Sequence, residues 1–265
     1  MLDKITPVLL TLNEAPNISR VLEKLAWAGD IVVVDSGSTD ETLAIIKQYP
    51  QVRCYHRTFD NHAAQWNYAV HETAIKTEWV LALDADYILS DEFVQELKQL
   101  QPDTATQGYR TRFKYCIDGR PLHGSLYPPV TVLYRKNNAY YEQDGHTQRL
   151  KLAEPVKWLQ GFIFHDDRKP LWHWFMAQQR YMILESRKLA TTPWRDLTWG
   201  DRVRKCRIIA PVVVFFYCLL VRGVILDGWP GLYYALQRMV AELILSVYLI
   251  RRDIGLTPGQ SDVST

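Results

Sequence analysis

Residues 31–40 of this 265-residue chain are Ile-Val-Val-Val-Asp-Ser-Gly-Ser-Thr-Asp. The β-branched residues at 31–34 form a continuous apolar run, which is typical of a strand buried on both faces of a parallel sheet. Ser38 lies three residues before Glu41, so the pair matches a capping box and predicts a helix from there to Tyr49. The stretch therefore predicts a strand, a polar turn and a helix, which is the repeating unit of an α/β fold.

The same alternation continues on both sides of this stretch. Apolar runs that predict strands lie at residues 5–11, 52–55 and 79–83. Helical periodicity lies at residues 16–25 and 63–75, and Ser90 caps one more helix. Strands that alternate with helices of this length predict βαβ units and a mostly parallel sheet.

The pattern changes in the second part of the chain. Polar and apolar residues alternate at 109–115, which predicts antiparallel or mixed sheet. Helical periodicity returns near Pro170, and the chain then carries two long apolar stretches, 208–226 and 231–250. We therefore predict a mixed sheet flanked by helices, followed by amphipathic or apolar helices.

Charge is divided unevenly along the chain. The formal net charge is +2, but residues 1–106 sum to −8 and residues 107–265 to +10. An acidic half followed by a basic half predicts different partners for the two parts. Hydrophobic residues make up 48% and charged residues 23%, which excludes a disordered or fibrous chain.

Several classes of protein are excluded by the motifs that the sequence lacks. The four cysteines form no Cys-x-x-Cys pair, so we expect reduced thiols and neither a zinc ribbon nor a thioredoxin-like site. Neither a Gly-x-x-x-x-Gly-Lys-Ser/Thr loop nor a Gly-x-Gly-x-x-Gly motif occurs, which argues against a P-loop NTPase and a dinucleotide dehydrogenase. The first residues show no basic and then apolar leader, so we expect a cytoplasmic active part.

Three polar clusters follow predicted strands, at residues 11–14, 35–40 and 84–86. In an open parallel sheet, ligands bind beyond the carboxyl ends of the strands, so these clusters are candidates for one site. Mg²⁺ and Mn²⁺ favour carboxylate oxygens and commonly bridge to phosphates. Each cluster also has a simpler interpretation, because Asp-x-Asp occurs in many surface loops and residues 35–40 could form only a turn and a helix cap.

Four motifs in order carry a family resemblance. They are Thr-Leu-Asn-Glu at 11–14, Val-Asp-Ser-Gly-Ser-Thr-Asp at 34–40, Ala-Gln-Trp-Asn at 64–67 and Leu-Asp-Ala-Asp at 83–86. The set resembles the nucleotide-sugar half of inverting family-2 glycosyltransferases of the GT-A fold, and is similar to members that act as lipopolysaccharide core β-glucosyltransferases. The resemblance implies a GT-A-type, Rossmann-like mixed sheet. It also implies a nucleotide-sugar site made by Thr11, Asn13, Glu14, Asp35, Ser36, Arg57, Gln65, Asn67 and Asp84.

The resemblance further implies roles within this site. Asp35 would contact the nucleotide base, Asp84 would lie near the ribose, and Asp86 would bind a divalent cation, Mn²⁺ or Mg²⁺, with the diphosphate. His165 resembles a family histidine near the metal and is a second candidate ligand. The family often has Arg or Lys just before the asparagine of the third motif; Trp66 stands there, and Arg57 is a possible substitute.

Inverting transfer needs a general base that takes the proton of the acceptor hydroxyl. In the family this base follows the Asp-x-Asp motif, and Asp144 is the best candidate here. Glu142 is the alternative candidate, and a simple turn at Asp144-Gly145 is the structural alternative.

The C-terminal stretches suggest a membrane surface. Residues 208–221 are shorter than the ~20 residues that span a bilayer, so an in-plane or re-entrant helix is expected, with basic residues beside it that attract anionic lipid. Two core helices or an interface of a homo-oligomer are the alternatives, and nucleic-acid binding is not expected because no recognition motif occurs. We expect a catalytic domain at 1–190, with a nucleotide-sugar half at 1–106 and an acceptor half at 107–190, and a membrane-associating appendage at 191–265.

The expected function is metal-assisted transfer of a sugar, with inversion, from a nucleotide sugar to a lipid-linked or envelope glycan. The resemblance implies that the donor is a UDP-sugar. The expected location is the inner face of the cytoplasmic membrane. A sugar nucleotidyltransferase and a non-catalytic nucleotide-sugar-binding protein are the alternatives. The nucleotidyltransferase normally needs a Gly-rich loop with Lys or Arg near its N-terminus, which this sequence lacks.

Overall fold

The computed structural model describes residues 1–144 and 147–256, but not the side chains of residues 144 and 147. The chain forms two compact units. The first comprises Met1–Pro121 and Tyr127–Lys169, and the second comprises Leu122–Leu126 and the chain from Pro170 onward.

The first unit contains the strands and four helices. The strands are β1 (Ile5–Thr11), β2 (Ile31–Asp35), β3 (Val52–His56), β4 (Trp79–Asp84), β5 (Tyr87–Leu89), β6 (Gly108–Ile117), β7 (Arg120–Pro121), β8 (Val130–Arg135), β9 (Tyr140–Asp144), β10 (Thr147–Lys151) and β11 (Val156–His165). The helices are α1 (Ile18–Lys24), α2 (Thr42–Ile46), α3 (His62–His71) and α4 (Asp91–Gln99).

The main sheet has the strand order β3-β2-β1-β4-β8-β6-β11-β5. The first four strands are parallel, β8 is antiparallel to both β4 and β6, β11 is parallel to β6, and β5 is antiparallel to β11. A short strand, β7, pairs with β6, and β9 and β10 form a separate hairpin. The predicted α/β class, with a parallel first half and a mixed second half, is confirmed.

The central strands are buried on both faces because helices cover both sides of the sheet. Leu9 and Val33 face a cluster that includes Ile18 of α1 and Phe93 of α4. Their strand neighbours at positions 8 and 32 face the opposite cluster, which α3 covers. This arrangement explains why residues 31–34 are all apolar, since neither face of β2 meets water.

The predicted capping box at Ser38 is wrong. Helix α2 begins only at Thr42, and Ser38 instead donates its hydroxyl to Asp35 at 2.5 Å. Asp40 accepts hydrogen bonds from the backbone N–H and the hydroxyl of Thr42, at 3.0 and 2.5 Å. The side chains of Ser38 and Asp40 therefore make hydrogen bonds within the loop, and they do not cap a helix that begins nearer to β2.

Gly161 allows α4 to lie directly on β11. A Cβ at this position would come within 2.5–2.9 Å of the Cα, N and Cβ atoms of Phe93. We therefore expect Gly161→Ala to lower the free energy of unfolding by about 1–3 kcal/mol, because the first turn of α4 must move. Urea denaturation measures this change. Gly29→Ala is the matched control, since its Cβ would meet nothing within 4 Å; an equal effect of the two substitutions would contradict the prediction.

The second unit is helical. Its helices are α5 (Leu171–Thr191), α6 (Trp199–Lys205), α7 (Ile209–Phe216) and α8 (Trp229–Asp253). Met182 and Leu189 of α5 pack with Leu245 and Leu249 of α8 in a buried cluster. Arg204 lies between Glu242 at 2.9 Å and Glu185 at 3.4 Å, so the buried carboxylates of this unit have a cationic partner.

The apolar stretch 208–226 is not one helix. Helix α7 continues into a π-helical turn at Tyr217–Val221, and Gly223 then takes a φ of 72°, which glycine tolerates without strain. Among the described residues, α8 is the one helix with the length and composition to cross a membrane, and 44% of its apolar window is buried against the rest of the chain. Core helices of soluble proteins meet the same criterion.

Candidate active site

The carboxyl ends of β1, β2 and β4 meet at one edge of the sheet. The register pairs Thr11 with Asp35 and Leu10 with Asp84. Because the three strands are parallel, the residues that follow each of them line the same crevice. The structure therefore brings together the three polar clusters that the sequence places after separate strands.

Asp35 is fully buried, and both of its carboxylate oxygens accept hydrogen bonds from the chain itself. Oδ1 accepts from the N–H groups of Gly37 at 2.9 Å and Ser38 at 2.8 Å. Oδ2 accepts from the hydroxyls of Thr11 at 3.0 Å and Ser38 at 2.5 Å. The carboxylate thus fixes the loop after β2, and its contact with a nucleotide base stays a prediction.

Side chains also fasten the loop after β1 to the loop after β2. The N–H of Asn13 donates to Ser38 Oγ, and Asn13 Oδ1 accepts from the N–H of Thr39, both at 2.8 Å. The N–H of Glu14 donates to Thr42 Oγ1 at 2.8 Å. Asn13 has a φ of 56°, a region in which asparagine is enriched among residues other than glycine. The two loops therefore form one hydrogen-bonded body.

Ser36, Arg57 and Gln65 form a second group at this edge. Gln65 is buried and donates to Ser36 Oγ and to the carbonyl of Arg57, each at 3.1 Å. Arg57 donates to Gln65 Oε1 at 2.5 Å and to both oxygens of Asp60 at 2.9 and 3.0 Å. The guanidinium lowers the pKa of Asp60 to about 2, so Asp60 is ionised at neutral pH and is paired with Arg57.

Asn67 holds the β9–β10 hairpin. Its Nδ2 donates to the carbonyl of Tyr141, and its Oδ1 accepts from the N–H of the same residue, both at 2.9 Å. This two-bond contact joins α3 to the strand that carries Glu142 and Asp144. A nucleotide contact by Asn67 stays a prediction, and its observed contacts position the hairpin.

Asp84, Asp86 and His165 form the acidic centre of the site. His165 Nε2 and Asp86 Oδ2 are 3.1 Å apart. Burial and then the charge of Asp86 raise the pKa of Asp84 to about 6. Burial acts to raise the pKa of Asp86 too, but His165 outweighs it and the pKa lies below its ordinary value. Asp86 therefore loses its proton at a lower pH than Asp84, and near pH 6 Asp84 is the carboxylate that takes up a proton.

Three tyrosine rings enclose the imidazole of His165. Its ring centroid lies 4.6 Å from that of Tyr127, 4.8 Å from Tyr115 and 5.5 Å from Tyr87. Tyr87 and Tyr127 are also hydrogen-bonded to each other through their hydroxyls. Because the rings leave the imidazole little rotational freedom, Nε2 keeps a fixed direction towards Asp86.

These residues fit a divalent cation that is shared with a substrate. No group of three or more His, Cys, Asp or Glu side chains in the described ranges holds a metal by itself. Mg²⁺ sites that act on phosphates commonly use only one or two carboxylates together with phosphate oxygens and waters. Asp86 Oδ1 and His165 Nδ1 are buried and have no hydrogen-bond partner among the described residues. Asp86 Oδ2 and His165 Nε2 are 3.1 Å apart, which is the spacing of two ligand atoms that share one cation at about 2.1 Å, whereas Nδ1 points to the other side of the ring.

A family model described as glycosyl transferase family 2 matches residues 8–167. The chain belongs to this family. An uncharacterized glycosyltransferase of Rickettsia bellii is 31% identical over 144 residues, which are 52% of this chain and 48% of that protein. The lipopolysaccharide core biosynthesis glycosyltransferase LpsC of Rhizobium meliloti is 30% identical over 136 residues, 49% of this chain and 47% of that protein. The chain thus spans about half the length of the curated relatives it matches.

The fold is also similar to solved structures. The crystal structure of S. aureus TarS 1-349 in complex with UDP-GlcNAc has a TM-score of 0.49 to this chain at 16% identity. The match covers 95% of this chain and 92% of that one. The identification of the chain as a family-2 glycosyltransferase, made from its four ordered motifs, is confirmed by the family model.

The two candidates for the general base of this family-2 glycosyltransferase, Glu142 and Asp144, are described to different extents. The carboxylate of Glu142 lies 3.0 Å from Lys151, and both side chains are about half exposed. The backbone of Asp144 ends β9, but its side chain lies outside the described residues. Both remain predictions as general bases.

Sequence reasoning missed Lys169. Its Nζ lies 2.5 Å from Glu14 Oε1 and 3.8 Å from Asp167, and the side chains of Lys169 and Glu14 are only 19% and 13% exposed. A possible signal was its place four residues after His165, at the end of β11. A run of charged residues just after a strand is typical of a solvated loop, so the sequence alone gave no reason to choose Lys169 from this run.

The stability of this family-2 glycosyltransferase should fall as the pH rises from about 4.5 to about 7. Burial raises the pKa of Glu14 from near 4.5 to about 7, so in this window the folded state keeps a proton that the unfolded chain has lost. Stability contributed by such a group is present below the unfolded pKa and is lost above the folded one. We expect the unfolding free energy of the ligand-free protein to be lower at pH 7.5 than at pH 5.5, by on the order of 1 kcal/mol.

Urea denaturation at the two pH values tests this prediction. Glu14→Gln removes the titrating group and should reduce the difference. An unchanged difference in Glu14→Gln would show that other groups cause the pH dependence.

Proposed function

We propose that the chain transfers a sugar, with inversion, from a UDP-linked donor to a lipid-linked or envelope glycan acceptor. Membership of glycosyl transferase family 2 supports sugar transfer in general. The observation that carries the proposal is the unpartnered, buried Asp86 Oδ1 beside His165 at the edge where β1, β2 and β4 end. Such an acceptor is costly unless a ligand satisfies it.

Asp86 and His165 would hold a Mn²⁺ or Mg²⁺ ion, which when bound neutralises charge on the diphosphate leaving group. The ordered loops after β1 and β2 would hold the nucleoside, with Thr11 and Asp35 at their base. The ring cluster around His165 would keep water away from this end of the crevice. In our proposal Asp144 takes the proton of the acceptor hydroxyl, and Glu142 is the alternative.

A donor screen tests the proposed reaction. Purified protein is incubated with UDP-, GDP- and CMP-linked sugars in Mn²⁺, Mg²⁺ or EDTA, with lipid and glycan acceptors, and released nucleotide is measured. Release of UDP that depends on both the acceptor and the cation is expected. Binding of UDP-sugar without release would favour a non-catalytic binding protein, and formation of diphosphate from UTP and a sugar phosphate would favour a nucleotidyltransferase.

We also propose that residues 1–190 carry catalysis and that residues 191–265 bind a membrane surface on the cytoplasmic side. Helix α7 and the turn after it expose an apolar stripe at helical spacing. Its residues are Ile209, Val212, Val213, Phe216, Tyr217 and Leu220, which are 41–64% exposed. Helix α8 exposes a second stripe that consists of Trp229, Tyr233, Leu236, Leu243, Val247 and Ile250. Apolar stripes of this extent mark an interaction surface.

Charge and aromatic residues favour lipid as the partner of these stripes. Arg251 and Arg252 are exposed at the end of α8, where cations are attracted to anionic headgroups. Trp229 is 82% and Trp199 80% exposed, and tryptophan is enriched where protein meets the headgroup region. An in-plane arrangement agrees with the break in the helix after Val221.

We expect the double substitution Phe216→Asp and Val247→Asp to lower binding to vesicles of anionic phospholipid by about tenfold or more, since two exposed apolar side chains that would enter the membrane are replaced by carboxylates that its anionic surface repels. Vesicle co-sedimentation measures this change. Gln179→Asp on the exposed face of α5 is the control. Unchanged binding in the double variant would contradict the proposal, as would a stable dimer of the parent protein that the same double variant dissociates.

A further inference from the structure

A donor diphosphate carries negative charge that a protein cation would offset, and the residue before the asparagine of the third motif is Trp66, which is uncharged. Its side chain is 3% exposed and stacks on Tyr141, with ring centroids 5.5 Å apart. Trp66 belongs to the apolar cluster between α3 and the sheet. This position therefore supplies neither a charge nor a side chain directed to the crevice.

Arg57, the substitute expected from the sequence, is already paired. Its guanidinium makes two hydrogen bonds to Asp60 and one to Gln65. The ion pair with Asp60 would have to break before Arg57 could bind a phosphate in the same bidentate geometry. Another cation is better placed.

Lys169 lies beside the acidic centre. The backbone N–H of Asp166 donates to the carbonyl of Asp86 at 3.1 Å, which brings the loop after β11 against the Asp-x-Asp motif. The ammonium of Lys169 lies 2.5 Å from Glu14 Oε1 and 3.8 Å from Asp167 Oδ1, so it lies between the loop after β1 and the loop after β11. Its own pKa is raised by Glu14, Asp167 and Asp86 against the effect of burial, so it stays charged.

The loop that carries Lys169 is held by α1 and by the residue before that helix. Asn17 donates to Asp167 Oδ1 at 2.8 Å and accepts from the N–H of Arg168 at 2.8 Å. Arg20 donates to Asp166 Oδ2 at 2.7 Å. Because α1 fixes the loop in this way, the lysine is in place before any ligand arrives.

We propose that Lys169 binds the diphosphate of the nucleotide-sugar donor. An ammonium has three N–H donors, and within the described part of the chain the ammonium of Lys169 makes one hydrogen bond, to Glu14. The remaining donors are available to the oxygens of a diphosphate that a cation at Asp86 would hold, where charge accumulates as the sugar leaves. The proposal rests on the proposed function, because it takes the ligand to be a nucleoside diphosphate.

Nucleotide binding without turnover tests this inference. Calorimetry with UDP and with UMP, in Mg²⁺, is carried out on the parent protein, Lys169→Met and Lys169→Arg. We expect Lys169→Met to weaken UDP binding by about 10- to 100-fold and UMP binding much less, because a charged hydrogen bond to the diphosphate is lost. Lys169→Arg should restore part of the affinity.

A double variant separates phosphate binding from support of Glu14. Lys169→Met leaves Glu14 buried without its partner, so Glu14→Gln and the double variant Glu14→Gln, Lys169→Met are measured together, with circular dichroism to confirm folding. Equal UDP affinity in Glu14→Gln and the double variant would overturn the inference. Lys24→Met, whose exposed ammonium pairs with Asp91, is the control for the loss of a positive charge.

The two proposals fail in different ways. If the parent protein binds UDP and transfers sugar while Lys169→Met binds UDP equally well, the inference alone is wrong. If the parent protein binds no nucleoside diphosphate, both the proposed function and this inference are wrong.

Discussion

Replacement of Asp86 by asparagine is expected to lower kcat/KM for sugar transfer by about 10²- to 10³-fold. The substitution keeps the shape of the side chain and removes the carboxylate that we propose binds the cation. It also removes the anionic partner of His165 at 3.1 Å, so the charge-assisted hydrogen bond that orients the imidazole becomes a neutral one. Stability should change less than activity, because Asp86 Oδ1 has no partner to lose among the described residues.

Steady-state kinetics over a range of Mn²⁺ concentrations measures the effect. Asp91→Asn is the matched control, because this aspartate is 83% exposed and pairs only with Lys24 in the described structure. The control should retain parental activity. Transfer by Asp86→Asn with the parental dependence on cation would remove Asp86 from the site.

Replacement of Asp144 by asparagine is expected to lower kcat by about 10²- to 10⁴-fold while the affinity for the donor stays close to the parental value. A general base acts only as the acceptor hydroxyl attacks, so its loss affects the chemical step more than the binding of the nucleotide. Glu142→Gln, on the same strand, is the matched variant. We expect a much smaller loss from it, because the Glu142 carboxylate is half exposed and paired with Lys151.

The dependence of kcat on pH provides a second measurement. In the parent protein the acidic limb of the profile should report the base, and in Asp144→Asn this limb should disappear. A larger loss of kcat in Glu142→Gln than in Asp144→Asn would reverse the assignment of the base.

The parallel half of the sheet was predictable because its strands carry a simple signal. A strand such as β2, covered on both faces, must be apolar at every position, and its first polar residue, Asp35, marks the end of the strand. Because the strands are parallel, their carboxyl ends and the polar residues that follow them lie at one edge of the sheet. Sequence reasoning located Asp84 and Asp86 correctly beside this edge for the same reason.

The parts that sequence did not predict depend on contacts between distant residues. Ser38 fits the local sequence pattern of a helix cap, but its hydroxyl donates a hydrogen bond to Asp35 instead. The contact across the loop therefore replaces the predicted cap. Lys169 pairs with Glu14, which lies near the other end of the first unit in sequence, and a local sequence pattern does not predict a pair so far apart. Asn67 fitted a nucleotide motif, whereas its observed bonds hold the hairpin of β9.

The fastened loops after β1 and β2 have a consequence for how a donor would be captured. Asn13, Ser38 and Thr39 are held together by hydrogen bonds within the chain itself. Little conformational entropy therefore has to be lost in these loops when a nucleotide arrives. The backbone of these two loops should therefore change little on binding. We expect conformationally restricted nucleoside analogues to bind here with affinities similar to those of flexible ones.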